Sequence, residues 1–324
     1  MSGAKIHGAL LATAFLLAIL TWNWEAPSEI ELERVLVWQK DTSAVISVSY
    51  QSSGLDLALK RYSEDEAEVV FWAGFEINRQ GRLGTSALDT LVFPLGQPGA
   101  KLIEDLAEFR VLRDLGDLAR DRAVDFGLNA PAGTVSIEFS DGVERLEIGK
   151  TPVGSNDRYA WDSPEGTLYV IPADVIRPLI LGSEALRERQ VHYFLPEDIT
   201  RVRIEVDDHE RTMVRESSDI GGPAIWYPSG SPADSDITFT NFMERVAQIS
   251  IEGFGKTAPR DSLVELMRIQ YFGLEDKELG FLRFYTDSDQ TSESYFVLSE
   301  RTRILAEAMA LQAEIVAFDL TNIF

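Results

Sequence analysis

The sequence predicts an α+β chain: an N-terminal transmembrane helix, then two tandem repeated α+β units with antiparallel sheets. Three observations carry this expectation. Residues 8–22 read GALLATAFLLAILTW without a charge. An aromatic-Pro-x-Gly element occurs twice, as Phe93-Pro94-Leu95-Gly96 and Tyr227-Pro228-Ser229-Gly230, each after β-rich sequence and before a helical stretch. A Phe-Gly-Leu element occurs twice as well, at Phe126-Gly127-Leu128 and Phe272-Gly273-Leu274, closing each helical stretch. Pro94, Gly127, Pro228 and Gly273 are therefore the landmarks of a duplication. The implied organisation is a cytoplasmic tip and anchor at 1–26, a first extracytoplasmic unit at 27–190, and a second, trimmed unit at 196–324.

The anchor comes first. With Ile6, His7 and Trp24 the apolar span reaches about 20 residues, enough to cross a hydrocarbon core of about 30 Å. Gly8, Leu11, Phe15, Leu16 and Ile19 belong to the span, and Trp22 and Trp24 suit the membrane interface. Lys5 precedes the span while Glu25 and Glu29 follow it, so the positive-inside rule puts Met1 in the cytoplasm and the rest outside. The expected location is the inner (cytoplasmic) membrane, single-pass, with the bulk of the chain periplasmic. A cleaved signal peptide is the competing reading. The run is long for one, and residues 20–25 lack a small-x-small cleavage site. Ala4, Gly8 and Ala12 share a helix face at four-residue spacing, a pattern that permits close helix–helix contact. Alanine and glycine are also simply common in spans.

In the first unit, residues 33–37 and 44–50 read as a hairpin around Lys40-Asp41-Thr42, and 68–77 and 87–95 as further strands. Pro98-Gly99 opens a helix whose apolar face is Leu102, Ile103, Leu106 and Phe109, extending to Leu112 and Leu115. Asp117 then caps a second short helix through Val124. Ser140-Asp141-Gly142 marks a hairpin between 134–139 and 143–148, because glycine tolerates positive φ. A second hairpin turns at residues 163–166, and 174–181 is a short helix. In the second unit, 199–206 alternates apolar and charged residues and turns at Asp207-Asp208-His209-Glu210. Residues 212–215 and 224–227 are strands, and 236–249 is a helix with Phe239, Phe242, Met243 and Val246 on one face. Residues 262–271 read as a helix capped by Asp261, 279–285 and 294–298 as a hairpin, and 301–318 as the closing helix. No counterpart of the 143–161 hairpin is evident, hence a trimmed second copy.

At 324 residues the chain is long enough for two domains of about 150 residues. Its formal charge of −23 excludes nucleic acid as a partner, since that interface needs a basic face to release counterions. There is no cysteine, so no disulfide, no thiol nucleophile and no cysteine-ligated metal.

No cluster points to catalysis, a metal or a cofactor. Gly255-Lys256-Thr257 lacks the glycine that a phosphate loop needs at position 250, which is Ser250. His7, His192 and His209 have no metal-site spacing. Asp234 with Asp236, and Asp287 with Asp289, lack the further ligands of a calcium loop and suit local turn bonds instead. Trp72, Phe75, Trp161, Tyr169, Trp226 and Tyr227 fall in strands, either as core or as a binding strip.

Phe126-Gly127-Leu128 with Pro131, Leu146-x-Ile148-Gly149-Lys150-Thr151-Pro152-Val153-Gly154, Tyr159-Ala160, Leu168-Tyr169-Val170-Ile171, Leu186-Arg187-x-Arg189 and Asp198-Ile199-x-x-Val202-x-Ile204 occur in order through the middle of the chain. This series resembles domain of unknown function family 4340, a family of bacterial envelope proteins. The resemblance implies one N-terminal span, repeated α+β units outside the cytoplasm, and association with ABC-type exporters of the gliding-motility type as an auxiliary component. It carries over no catalytic residue. The chain departs from the family in its weakly marked first unit and trimmed second one. The expected function is a non-catalytic, membrane-anchored subunit bound to an integral membrane complex of ABC transporter type. The alternative is an extracytoplasmic module that binds a glycan or peptide in a cleft between the units.

Overall fold

The structure, a computed structural model, describes residues 34–62, 70–79, 90–216, 224–231, 234–255, 262–287 and 294–324. The anchor at 1–26, with Gly8, Leu11, Phe15, Leu16, Ile19, Trp22, Trp24 and the Ala4/Gly8/Ala12 face, lies outside the described residues. Among the described residues, no helix is long and apolar enough to cross a membrane.

The chain runs β1 (Val35–Gln39), β2 (Val45–Gln51), β3 (Leu55–Tyr62), β4 (Phe71–Asn78), β5 (Leu91–Pro94), α1 (Gln97–Ala107), β6 (Glu108–Val111) and β7 (Arg113–Asp117). After a 3-10 turn at Arg120–Phe126 come β8 (Gly133–Phe139), β9 (Gly142–Ile148), β10 (Arg158–Asp162), β11 (Thr167–Ile171), α2 (Ala173–Leu181) and α3 (Ser183–Leu186). The second half runs β12 (Arg201–Val206), β13 (His209–Glu216), β14 (Ile225–Pro228), α4 (Ile237–Val246), β15 (Ile251–Phe254), β16 (Leu263–Phe272), β17 (Glu278–Asp287), β18 (Tyr295–Ser299), β19 (Ala306–Ala308) and α5 (Ala310–Asp319). This is a mixed α+β fold with antiparallel pairing.

Besides a two-stranded sheet of β1 and β6, one large sheet has the order β5-β4-β3-β2-β8-β9-β10-β11-β7 and the other β14-β13-β12-β16-β17-β18-β19-β15. β17 and β18 hold, in the second order, the places of β9 and β10 in the first. The first of these sheets has nine strands and the second eight. The Phe-Gly-Leu landmarks do not correspond. Gly127 ends a 3-10 turn in the left-handed region at φ +75°, whereas Gly273 follows a strand in extended backbone. Pro94 and Pro228 are alike in one respect, each ending an outermost strand of its sheet.

Local readings fail where a neighbour overrides periodicity. β1 and β2 do not form a hairpin; β1 pairs with β6, while β2 pairs with β3 and β8. Asp41 accepts from Ser43 N at 2.7 Å and caps a 3-10 turn, which sends the chain onward instead of back. α1 stops at Ala107 rather than continuing to Leu115. Phe109 and Val111 alternate into the core from β6, where Trp38 of β1 stacks on Phe109 at 4.4 Å. Residues 263–272 are a strand, not a helix, because β16 sits between β12 and β17 and buries Met267, Ile269 and Tyr271 at period two. The expected closing helix splits into β19 and α5. The 140–142 and 163–166 turns, and the buried face of α4, are as the sequence predicts.

One continuous apolar core runs through both halves, from Val48, Leu59 and Ile137 to Ile204, Phe242 and Phe284. A small satellite of Ala123, Leu128, Trp161 and Leu168 lies beside it.

Candidate functional site

The connection between the sheets is held at both ends. Gly96 N donates to Leu186 O and Glu188 N to Pro94 O, each at 2.9 Å, which ties the segment to the first unit. The β18–β19 turn of the second unit grips the residues after Gln190. Ser299 Oγ donates to Val191 O at 2.5 Å, and Arg301 Nη1 to His192 O at 2.9 Å. Arg301 Nε lies 2.9 Å from Glu188 Oε2, at an angle that makes it an ion pair rather than an aligned hydrogen bond. Glu300 accepts from Tyr193 N at 3.2 Å and Phe281 N at 3.1 Å, and its carboxylate is 3.1 Å from His192 Nδ1.

This gripped segment roofs a cleft of about 660 Å³ whose other walls are β14, α4 and β16. Strand register explains the floor. Arg215 pairs with Trp226 across β13 and β14, while Met213, Val202 and Tyr271 occupy the next positions on the same pleated face. Over them the His192 ring stacks on Phe194 at 4.6 Å and meets Tyr271 edge-on at 4.8 Å. Leu195, Ile199, Met243 and Val246 complete the apolar walls.

The charged groups of the cleft are Arg189, Arg215, Arg301 and Glu244, beside the neutral polar Gln190, Gln248 and Ser250. Arg215 Nη1 donates to Pro196 O and, at 3.3 Å, to Ile199 O, but its Nε is buried without a partner. Tyr271 is 2 % exposed. Burial, with the nearby Glu300 carboxylate, pushes its hydroxyl well above the ordinary tyrosine range, so it stays a protonated donor.

Of the histidines and strand aromatics singled out in the sequence, His192 and Trp226 come together here, with Arg189 and Ile199 of the family motifs and Met243 and Val246 of the α4 face. His209 instead packs beside Phe324, at 5.9 Å. Asp236 caps α4, accepting from Phe239 N at 2.8 Å, and pairs with Arg211 at 2.6 Å. Gly255 follows β15; Lys256, Thr257 and Asp289 lie outside the described residues, and so do Gln80–Gly84 and Asp261. Trp161, Tyr169 and Trp226 are buried, while Trp72, Phe75 and Tyr227 are half-buried. Among the described residues no group of three or more acids or histidines is placed to hold a metal. The cleft's Tyr193-Phe194-Leu195 run escapes a sequence reading because a short aromatic run in a connection has no period. Its one signal is its position, just before Pro196 at the boundary between units.

The recurring motifs of the first half form a packed knot instead of a cleft. Lys150 N donates to Phe126 O at 2.9 Å, Gly149 N to Tyr159 O at 2.8 Å, and the Phe126 and Tyr159 rings meet at 4.9 Å. A Cβ on Gly149 would come within 2.3 Å of Phe126 O, so the motif glycine permits the approach of two backbones.

A family profile described as Domain of unknown function (DUF4340) matches residues 100–265, just over half of the chain. No curated protein and no solved structure matches the chain. The matched stretch takes in the knot, the gripped connection and most of the cleft, and the chain belongs to this family.

Proposed function

We propose that the protein is a non-catalytic, membrane-anchored extracytoplasmic subunit that docks on an integral membrane complex, an exporter of ABC type. Family membership supports the choice of partner, through the association that the resemblance implies. Two large antiparallel sheets, similar in strand order, support a tandem repeat; the apolar run in residues 1–26 of the sequence supports an anchor that carries it outside the membrane.

The geometric observation that carries the docking reading is α5. Its Ala313 and Val316 face the core, while Leu311, Ile315 and Phe318 lie on the opposite side, 69 %, 41 % and 74 % exposed. A helix apolar on both faces is ordinarily covered on both. The test is gentle solubilisation of the full chain followed by identification of what co-purifies. Transporter subunits are expected with the wild type and lost with Phe318→Glu. A Gly8→Leu variant separates the anchor's contribution by obstructing the Ala4/Gly8/Ala12 face. Recovery of the wild type without any membrane protein would overturn the reading.

A second reading, a ligand-binding module, is favoured by the cleft beneath the gripped connection. A cleft of about 660 Å³ with apolar walls and a few convergent polar groups has the character of a small-ligand site.

A further inference from the structure

The cleft contains a buried charged donor without an acceptor, Arg215 Nε, and a tyrosine hydroxyl, that of Tyr271, close to it. The Tyr271 side chain lines the same cleft, and its hydroxyl stays protonated. Both side chains rise from the same face of the sheet, so one ligand can reach both. A buried unsatisfied donor costs about 1–3 kcal/mol, and more when charged, so an acceptor brought in by a ligand is favoured. The surroundings define the rest of that ligand. Of the three guanidinium groups that line the cleft, that of Arg301 is paired with Glu188, and Arg215 keeps a donor unmet. Glu300, next to Tyr271, is already held by His192 and by the Tyr193 and Phe281 amides. Phe194, Leu195, Ile199, Met243 and Val246 supply the apolar walls.

A peptide added as a strand does not fit. The amides of Arg189 and Gln190 are taken by Glu188, that of Tyr193 by Glu300, and that of Leu195 by Asp198. The free side of β14 is closed as well, because Trp226 N donates to Thr240 Oγ1 and Trp226 O accepts from Asp236 N. A glycan would set hydroxyls against Phe194, Ile199, Met243 and Val246, which offer them no partner.

We propose that the cleft binds a single-chain amphiphile with an anionic oxygen headgroup, such as an acyl carboxylate. The headgroup lies between Arg215 and Tyr271, and the chain runs along Phe194, Ile199 and Met243. This deepens the ligand-binding reading and is independent of the exporter reading.

The test titrates the full chain in lipid nanodiscs with carboxyl-13C decanoate, followed by NMR, with empty nanodiscs as the blank. Saturable one-to-one binding above the blank is expected. Decanol, the neutral isostere, should compete roughly tenfold or more less well, the usual worth of a charge-assisted hydrogen bond. Decyl phosphate distinguishes a carboxylate site from one that accepts any oxyanion; displacement by it, or its failure, both leave an anionic-headgroup site. Tyr271→Phe removes only the hydroxyl and should weaken decanoate about tenfold without lowering the melting temperature. No binding above the blank, equal competition by decanol, or unchanged affinity in Tyr271→Phe would each overturn the proposal. No transporter is present in this assay, so its failure and a failure of co-purification are separate results.

Discussion

At the scale of single residues, burial and unmet polar groups decide most of what matters. Asp162 is 4 % exposed at the end of β10, and its Oδ1 accepts only a long bond, 3.3 Å, from Glu165 N. Desolvation holds its carboxyl above the ordinary value of 3.8. For an acid raised in the folded state, the favourable contribution is full below the unfolded value and is lost as pH rises through the folded one. Asp162 therefore opposes folding at neutral pH. Asp162→Asn should raise the denaturation midpoint at pH 7, with the gain vanishing below about pH 4; chemical unfolding of both forms at the two pH values measures it. An equal effect at both would mean that the charge of Asp162 is not the cause. Gly127 and Gly149 illustrate the same scale differently. Both belong to the family motif, where one ends a 3-10 turn at φ +75° and the other touches a carbonyl.

At the scale of elements, two helices show how local signals and long-range packing divide the control. α4 is specified locally. Asp236 caps it, and Phe239, Phe242, Met243 and Val246 repeat on its buried face. The cap also pairs with Arg211 of β13, which fixes the helix to its own sheet. Asp236→Ala should lower stability by about 1–2 kcal/mol, seen as a fall in denaturant midpoint at constant slope. A change in slope would instead signal loss of the α4 docking. By contrast, β16 and the start of the expected closing helix carry apolar residues at spacings that fit helix and strand alike. Their fate is decided by neighbours that already occupy the sheet, β12 and β17 for the first and β18 and β15 for β19.

At the scale of the whole molecule, the gripped connection joins two sheets into one core. Arg301 and Glu188 are both largely buried, with side chains 15 % and 8 % exposed. Removing one partner of such a pair leaves a charge stranded, at a cost of about 3 kcal/mol. Arg301→Leu should therefore lower the overall midpoint and speed trypsin cleavage at Arg189, while the first sheet's strands keep their amide-exchange protection. Uniform loss of protection across both sheets would show that the grip holds the entire core rather than the join.

Much of this is legible without coordinates. The hairpins at 140–142 and 163–166, the buried face of α4, the α+β class and the family come from turn chemistry, helical periodicity and motif order, because each is written within a few neighbouring residues. The candidate site is not legible. Its parts come from residues 189–199, 215, 226, 243–250, 271 and 301, and no spacing in the sequence relates them. β3 escapes a local reading, and β1 and β2 pair otherwise than expected, for the same reason: strand partners are chosen by long-range register. The sequence by itself determined which segments carry apolar faces and where the chain turns. Only the tertiary structure decided which strands pair, because pairing depends on which neighbour can bury both faces, and that choice set Tyr271 and Arg215 in one cleft.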